Sequence, residues 1–143
     1  MERTRRWLTS MSAGTEEALA AIEEFWDADA DYYPVRKFPE ARPCHGREEF
    51  SHFVREFKEA FPRSAWVVRE LIAVGDDRIL AWSTMRSEGR DSGVKLEGDI
   101  YQCHWVRHGR FFRVEDHLTL QGALHALGLQ GDTLEAAGLR GQA

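Results

Sequence analysis

The chain has 143 residues and a formal net charge of −5 at pH 7, with acidic and basic residues interleaved along its length. That length buries enough apolar surface for an unstapled fold, and the charge pattern offers no basic face to nucleic acid. Cys44 and Cys103 are too few for a disulfide framework and lack C-x-x-C spacing, and no apolar run has secretory or membrane-spanning length, so the expected setting is the cytoplasm, with free thiols and no membrane partner.

Residues 2–11 suit a short first helix. Ser12, Ala13 and Gly14 then form a turn, and Thr15 with Glu16 and Glu17 opens a second helix whose Leu19, Ile22, Phe25 and Trp26 recur at helical spacing. The run Asp27 to Asp31 breaks that period and reads as a solvated turn. It lacks the central glycine and distal glutamate of a calcium loop. Tyr32 and Tyr33 favour a strand, which Pro34 ends or confines to a sheet edge. The stretch 34–46 holds three prolines and no apolar period, as expected of a long connection able to fold over a pocket mouth.

Phe50, Phe53, Val54, Phe57 and Phe61 lie on one face of a helix that follows Glu48 and Glu49 and stops at Pro62. Such a stripe packs a core and can also floor a ligand cavity. Four strand-like stretches follow, 65–74, 78–88, 94–106 and 111–120, separated by turn residues around Gly75, Gly89 to Gly93, and His108-Gly109. Helices followed by a meander imply an α+β fold with helices packed on one face of a bent sheet. A short helix around 121–127 and a loosely packed or frayed tail over 131–143 complete the expectation of one domain spanning 1–130.

Four strings, in this order, carry a resemblance to a known family: Phe25-Trp26-Asp27-Ala28-Asp29-Ala30-Asp31-Tyr32-Tyr33-Pro34, Gly46-Arg47-Glu48-Glu49-Phe50, Arg90-Asp91-Ser92-Gly93, and the run from Trp105 through His108-Gly109-Arg110-Phe111 to Ala123-Leu124. From about Trp7 to Leu129 the chain resembles the SnoaL-like, polyketide cyclase-type branch of the nuclear transport factor 2-like superfamily. The resemblance implies a cone-shaped barrel. Its curved, mostly antiparallel sheet would carry three N-terminal helices on the concave face and dimerise through the outer face. The superfamily hosts isomerases, epoxide hydrolases, dehydratases, cyclases and noncatalytic members, so fold alone leaves the activity open.

A tight turn at His108-Gly109 would set Arg107 opposite Arg110, then Trp105 opposite Phe112, Cys103 opposite Val114, Tyr101 opposite Asp116 and Asp99 opposite Leu118, all on one face. This mostly apolar face is expected to point at the helices. A carboxylate there would lose hydration and be poised for proton transfer, which makes Asp116 the leading catalytic candidate, with Tyr101 as hydrogen-bond donor and Asp99 as a second carboxylate. The resemblance also implies a catalytic aspartate on the last long strand, at the place of Asp116.

Tyr33, Trp26, Phe57, Cys103, Trp105, Val114 and Leu118 are the expected ligand-binding residues, and the facing of Trp66 and Trp82 stays open. The other face, with Ile100, Gln102, His104, Val106, Phe111, Arg113, Glu115 and His117, is expected to serve a homodimer. The six histidines form no zinc pattern, and no cofactor is expected. Two readings follow. One is an isomerase-, cyclase- or hydrolase-type enzyme that uses Asp116 on a small, largely apolar cyclic or polyketide-like molecule. The other is a noncatalytic binding or dimerisation module in which Asp116 and Tyr101 are internal polar pins.

Overall fold

The computed structural model describes residues 1–35, 42–89, 93 and 95–139. The connecting segment 36–41, residues 90–92 and 94, and the last residues 140–143 lie outside the described residues, and with them part of the stretch expected to cover a pocket mouth.

Three amphipathic helices come from the N-terminal half. Helix α1 (Glu2–Ser10) buries Thr4, Trp7 and Leu8, α2 (Thr15–Phe25) buries Ala18, Ala21, Ile22 and Phe25, and α3 (Arg47–Ala60) buries Phe50 and Val54. Gly14 rather than Thr15 occupies the N-cap position of α2, where no side chain caps the helix. Lys58 of α3 reaches back to donate to the Met11 and Ala13 carbonyl oxygens at 2.8 and 2.9 Å, which ties the α1–α2 turn to α3.

Six strands form one open sheet: β1 (Trp26–Tyr33), β2 (Cys44–His45), β3 (Arg63–Val74), β4 (Arg78–Glu88), β5 (Lys95–Arg107) and β6 (Arg110–His117), in the order β2-β1-β6-β5-β4-β3. Only β1 and β6 run parallel; the other pairs are antiparallel. The α+β class is the expected one, and the sheet stops short of closing into a barrel because β2 and β3 are free edges.

The acidic run 27–31 is not a turn. Strand β1 starts at Trp26 directly after α2, and an irregularity between Trp26 and Asp31 lets Ala28 and Asp29 face water while Ala30 and Tyr32 are buried.

The turn at His108-Gly109 has positive φ at both residues, 53° and 74°, the mark of a two-residue hairpin. Arg107 pairs with Arg110 and Val106 with Phe111. A bulge then opposes Trp105 with Arg113, leaving Phe112 as the extra residue on β6. From there the pairs are His104 with Val114, Cys103 with Glu115, Gln102 with Asp116 and Tyr101 with His117. One inserted residue therefore corrects the expected register. Gln102 and His104 share the inner face with Asp116, and Tyr101, Cys103 and Trp105 fall on the outer one.

Each face has its own apolar cluster. The inner one joins α1, α2 and α3 to Trp26, Tyr32, Ala81, Phe111 and Val114. The outer one gathers Val74, Leu80 and Cys103 beneath Ala123, Leu124 and Leu127 of α4 (Leu120–Ala126) and its end, and extends to Leu134. The described part of the expected loose tail is mostly exposed but anchored at one point: Leu134 is 7% exposed, and Leu139 donates its amide to the Leu134 carbonyl at 2.8 Å. The sheet face expected to meet a dimer partner keeps Arg113, Glu115 and His117 but carries Tyr101, Cys103 and Trp105 in place of Ile100, Gln102 and His104, and α4 already covers its Cys103 region.

Truncating Leu134 should open a void in the outer cluster. Leu134→Ala is expected to lower unfolding free energy by about 2 kcal/mol in urea titrations; an unchanged midpoint would mean that the tail contributes nothing.

Candidate functional site

Asp116 sits near the end of β6, 7% exposed, on the inner face. The parallel pairing of Tyr32 with Val114 sets the Tyr32 ring beside it, and the Tyr32 hydroxyl donates to Asp116 Oδ2. Gln102 faces it from β5. Burial pushes the Asp116 carboxyl up to about 6, although hydrogen bonds from Tyr32 and Gln102 favour the charged form. Burial, then the neighbouring carboxylate, pushes the Tyr32 phenol well above its ordinary value, so it remains a donor. Among the described residues, Asp116 Oδ1 and Gln102 Oε1 have no hydrogen-bond partner.

Both residues open onto a cavity of about 370 Å³. Its wall comes from Trp7 and Met11 of the α1 region, from Phe50, Phe53, Val54 and Phe57 of α3, from Trp66 of β3, Met85 of β4 and Ile100 of β5, and from Tyr32 beside the carboxylate. Aromatic packing fixes the wall behind these groups: Trp26 stacks on Phe50 at 3.9 Å between ring centres, and Tyr32 meets Phe50 at 4.7 Å. At the far side, the Ser12 hydroxyl accepts from the Trp66 amide at 2.7 Å and donates to its carbonyl at 3.1 Å. This holds the strand that presents the Trp66 ring.

Of the residues expected at the site, Asp116 and Phe57 line the cavity. Trp26 and Val114 are fully buried in the apolar cluster behind it. The remainder lie elsewhere, those of β5 because the bulge shifts their register against β6. Tyr101 stacks on Trp82 on the outer face, with ring centres 6.4 Å apart, and Asp99 is exposed and accepts from the Thr84 hydroxyl at 2.9 Å. Cys103 lies under α4, its thiol donating to the Ala123 carbonyl at 3.4 Å. Tyr33 and Trp105 flank the Arg113 guanidinium, and Leu118, past the end of β6, is 43% exposed. Trp66 thus faces the cavity and Trp82 the outer side.

His104 is a further correction. It is fully buried on the inner face, 5.0 Å from the Phe111 ring, and burial lowers its pKa to about 4, so it is neutral. His117 does face outward, beside Glu115 at 3.3 Å. Burial raises the Cys44 thiol to about 11 and the Cys103 thiol further, which leaves both unreactive at neutral pH. No group of three or more His, Cys, Asp or Glu side chains suited to a metal occurs among the described residues, and no described helix is long and apolar enough to cross a membrane.

Tyr32, Gln102 and Trp7 were not foreseen at the site. The alternation in Tyr32-Tyr33 requires one ring to face in and the other out, but the choice between them depends on the β1–β6 register.

An open α+β sheet with three helices on one face and a buried carboxylate on the wall of an apolar cavity defines a small-molecule pocket fold. A family model for the SnoaL-like domain matches residues 4–114, and the chain belongs to that family. No curated protein matches the sequence.

Solved structures share the fold at low identity. A hypothetical protein of ketosteroid isomerase-like fold from Catenulispora acidiphila, in complex with trimethylamine, is 12% identical with a TM-score of 0.68; the match covers 96% of this chain and 93% of that one. Bal32a, from a soil-derived mobile gene cassette, gives 16% and 0.72 over 81% and 86% of the two chains. TerC, co-crystallised with polyporic acid, gives 18% and 0.66 over 89% and 98%.

Ionising Asp116 inside the fold costs about 3 kcal/mol more than in the unfolded chain. Between pH 3.8 and about 6 the folded state holds the extra proton, so this cost is absent at the acid end and complete above the upper limit. His104 acts the other way, because below its ordinary 6.5 only the unfolded chain takes up its proton until about 4. Comparing Asp116→Asn with the parent at each pH cancels the His104 contribution. The variant is expected to be more stable by about 1–3 kcal/mol near pH 8 and to lose that advantage by about pH 4 in denaturant titrations. Equal stability of the two at all pH values would mean that the carboxylate is not buried.

Proposed function

We propose that the protein binds a small, largely apolar cyclic or polyketide-like molecule in this cavity and that Asp116 moves a proton on it. The observation that carries this reading is the pairing of a buried carboxylate, with one oxygen free, and a mostly apolar wall that includes seven aromatic side chains. A carboxyl with pKa near 6 is ionised often enough at neutral pH to take a proton and basic enough to hold it in transit.

Tyr32, rather than Tyr101, is the phenol that orients it. By fixing Oδ2, its hydroxyl leaves Oδ1 as the oxygen available to a substrate. Gln102, whose amide already touches the carboxyl, offers a neutral polar group for a substrate carbonyl or hydroxyl to meet. Solved relatives of the same fold with trimethylamine or polyporic acid support small-molecule binding as the role of the cavity.

A noncatalytic binding module is favoured by one feature: both the phenol and the amide around Asp116 belong to neutral residues, and apart from Glu56 at the rim no other carboxylate, lysine or histidine lines the cavity among the described residues. The two readings separate in a proton-exchange assay. With 2-tetralone, a bicyclic ketone with acidic protons beside its carbonyl, the protein in deuterated buffer should accelerate exchange at that carbon, seen by NMR. The rate should rise through about pH 6, and Asp116→Asn should reduce it by about a hundredfold or more while the ketone still binds. Binding without accelerated exchange would favour the noncatalytic module.

A further inference from the structure

Among the described residues, the charges on the cavity wall have only one sign. Asp116 is more than nine-tenths buried, with an unpartnered oxygen on the wall, and the other ionisable carboxylate there, Glu56, stands at the solvent-facing rim, where His52 pairs with it at 3.0 Å. Among the described residues, no lysine, arginine or histidine lines the cavity. Seven aromatic side chains share the rest of the wall with aliphatic ones, and ring faces are the negative part of the aromatic quadrupole. The indole N–H groups of Trp7 and Trp66, also unpartnered, are neutral donors and leave that balance unchanged.

We infer that the molecule held in this cavity carries a positive charge, a protonated amine on a largely apolar ring, seated between the free oxygen of Asp116 and the aromatic faces. This rests on the reading that the cavity takes a small apolar ring, and it narrows the class of that ring. An anionic ligand would bring a second negative charge beside a buried carboxylate. A neutral one would leave that carboxylate without a counter-charge in a dry setting, whereas a cation supplies the missing charge and gains from the rings as well.

Among the described residues, the groups around Asp116 supply no cation. Tyr32 from β1 is a neutral phenol, Gln102 from β5 a neutral amide, His104 on the same inner face is neutral, and Glu56 from α3 is acidic.

Three probes of nearly equal size test this by calorimetry on the intact protein: 1-naphthylmethylamine, which is cationic at neutral pH, the neutral 1-naphthalenemethanol and the anionic 1-naphthoate. Near pH 7.5 the amine is expected to bind about tenfold or more tighter than the alcohol, and the acid weakest. In Asp116→Asn the amine should fall to within about threefold of the alcohol measured on the same variant. Independently of any variant, lowering the pH of the native protein to about 5 should shrink the amine's advantage, because Asp116 then binds a proton while the amine stays charged.

If the alcohol or the acid binds as tightly as the amine, or if the amine's advantage survives both at low pH and in the variant, the inference is overturned while the apolar-ring reading stands. If none of the three binds, both are overturned.

Discussion

Asp116 reaches the helices because β6 carries one more residue than β5 between the hairpin turn and the middle of the sheet. Phe111 faces inward just after the turn, and strict alternation from there would send Asp116 to the opposite side. The extra residue, Phe112, resets the alternation so that Val114 and Asp116 join Phe111 under the helical layer. Everything polar about the cavity follows. Gln102 comes opposite the carboxylate, Tyr32 of the neighbouring parallel strand comes alongside it, and His104 is drawn into the core as a neutral ring.

That arrangement is costly and self-consistent. A carboxylate that loses its water needs donors, and Tyr32 and Gln102 supply them on one side while the cavity leaves the other oxygen open. The phenylalanine stripe of α3 keeps water out, and Trp26, stacked behind Phe50, gives that stripe a rigid backing. The helices thus do more than cover the sheet: they set the dielectric in which the carboxylate ionises.

Much of this was readable from sequence. The helical stripe of Phe50, Phe53, Val54 and Phe57, the stop at Pro62 and the hairpin at His108-Gly109 all rest on local spacing and turn chemistry. The partners of Asp116 do not. In β5, Tyr101, Cys103 and Trp105 look more like a core face than Ile100, Gln102, His104 and Val106, and apolarity would choose the former. That choice misleads because α4 and the segment after it bury the other side of the strand too, so both alternations carry apolar residues. A bulge has no composition of its own, and a parallel pairing between the first and last strands leaves no mark in either.

The same two-sided burial has a mechanical meaning. Alternate residues of β5 serve as anchors for two separate cores, Ile100, Gln102 and His104 on one side and Cys103 with its neighbours on the other. Sliding the strand by a single position would swap every anchor into the wrong compartment, pressing an imidazole and an amide beneath α4 and a tryptophan into the cavity. The C-terminal helix, only a few residues beyond the carboxylate in the chain but on the reverse of the sheet, therefore acts as a latch on the alignment that aims it.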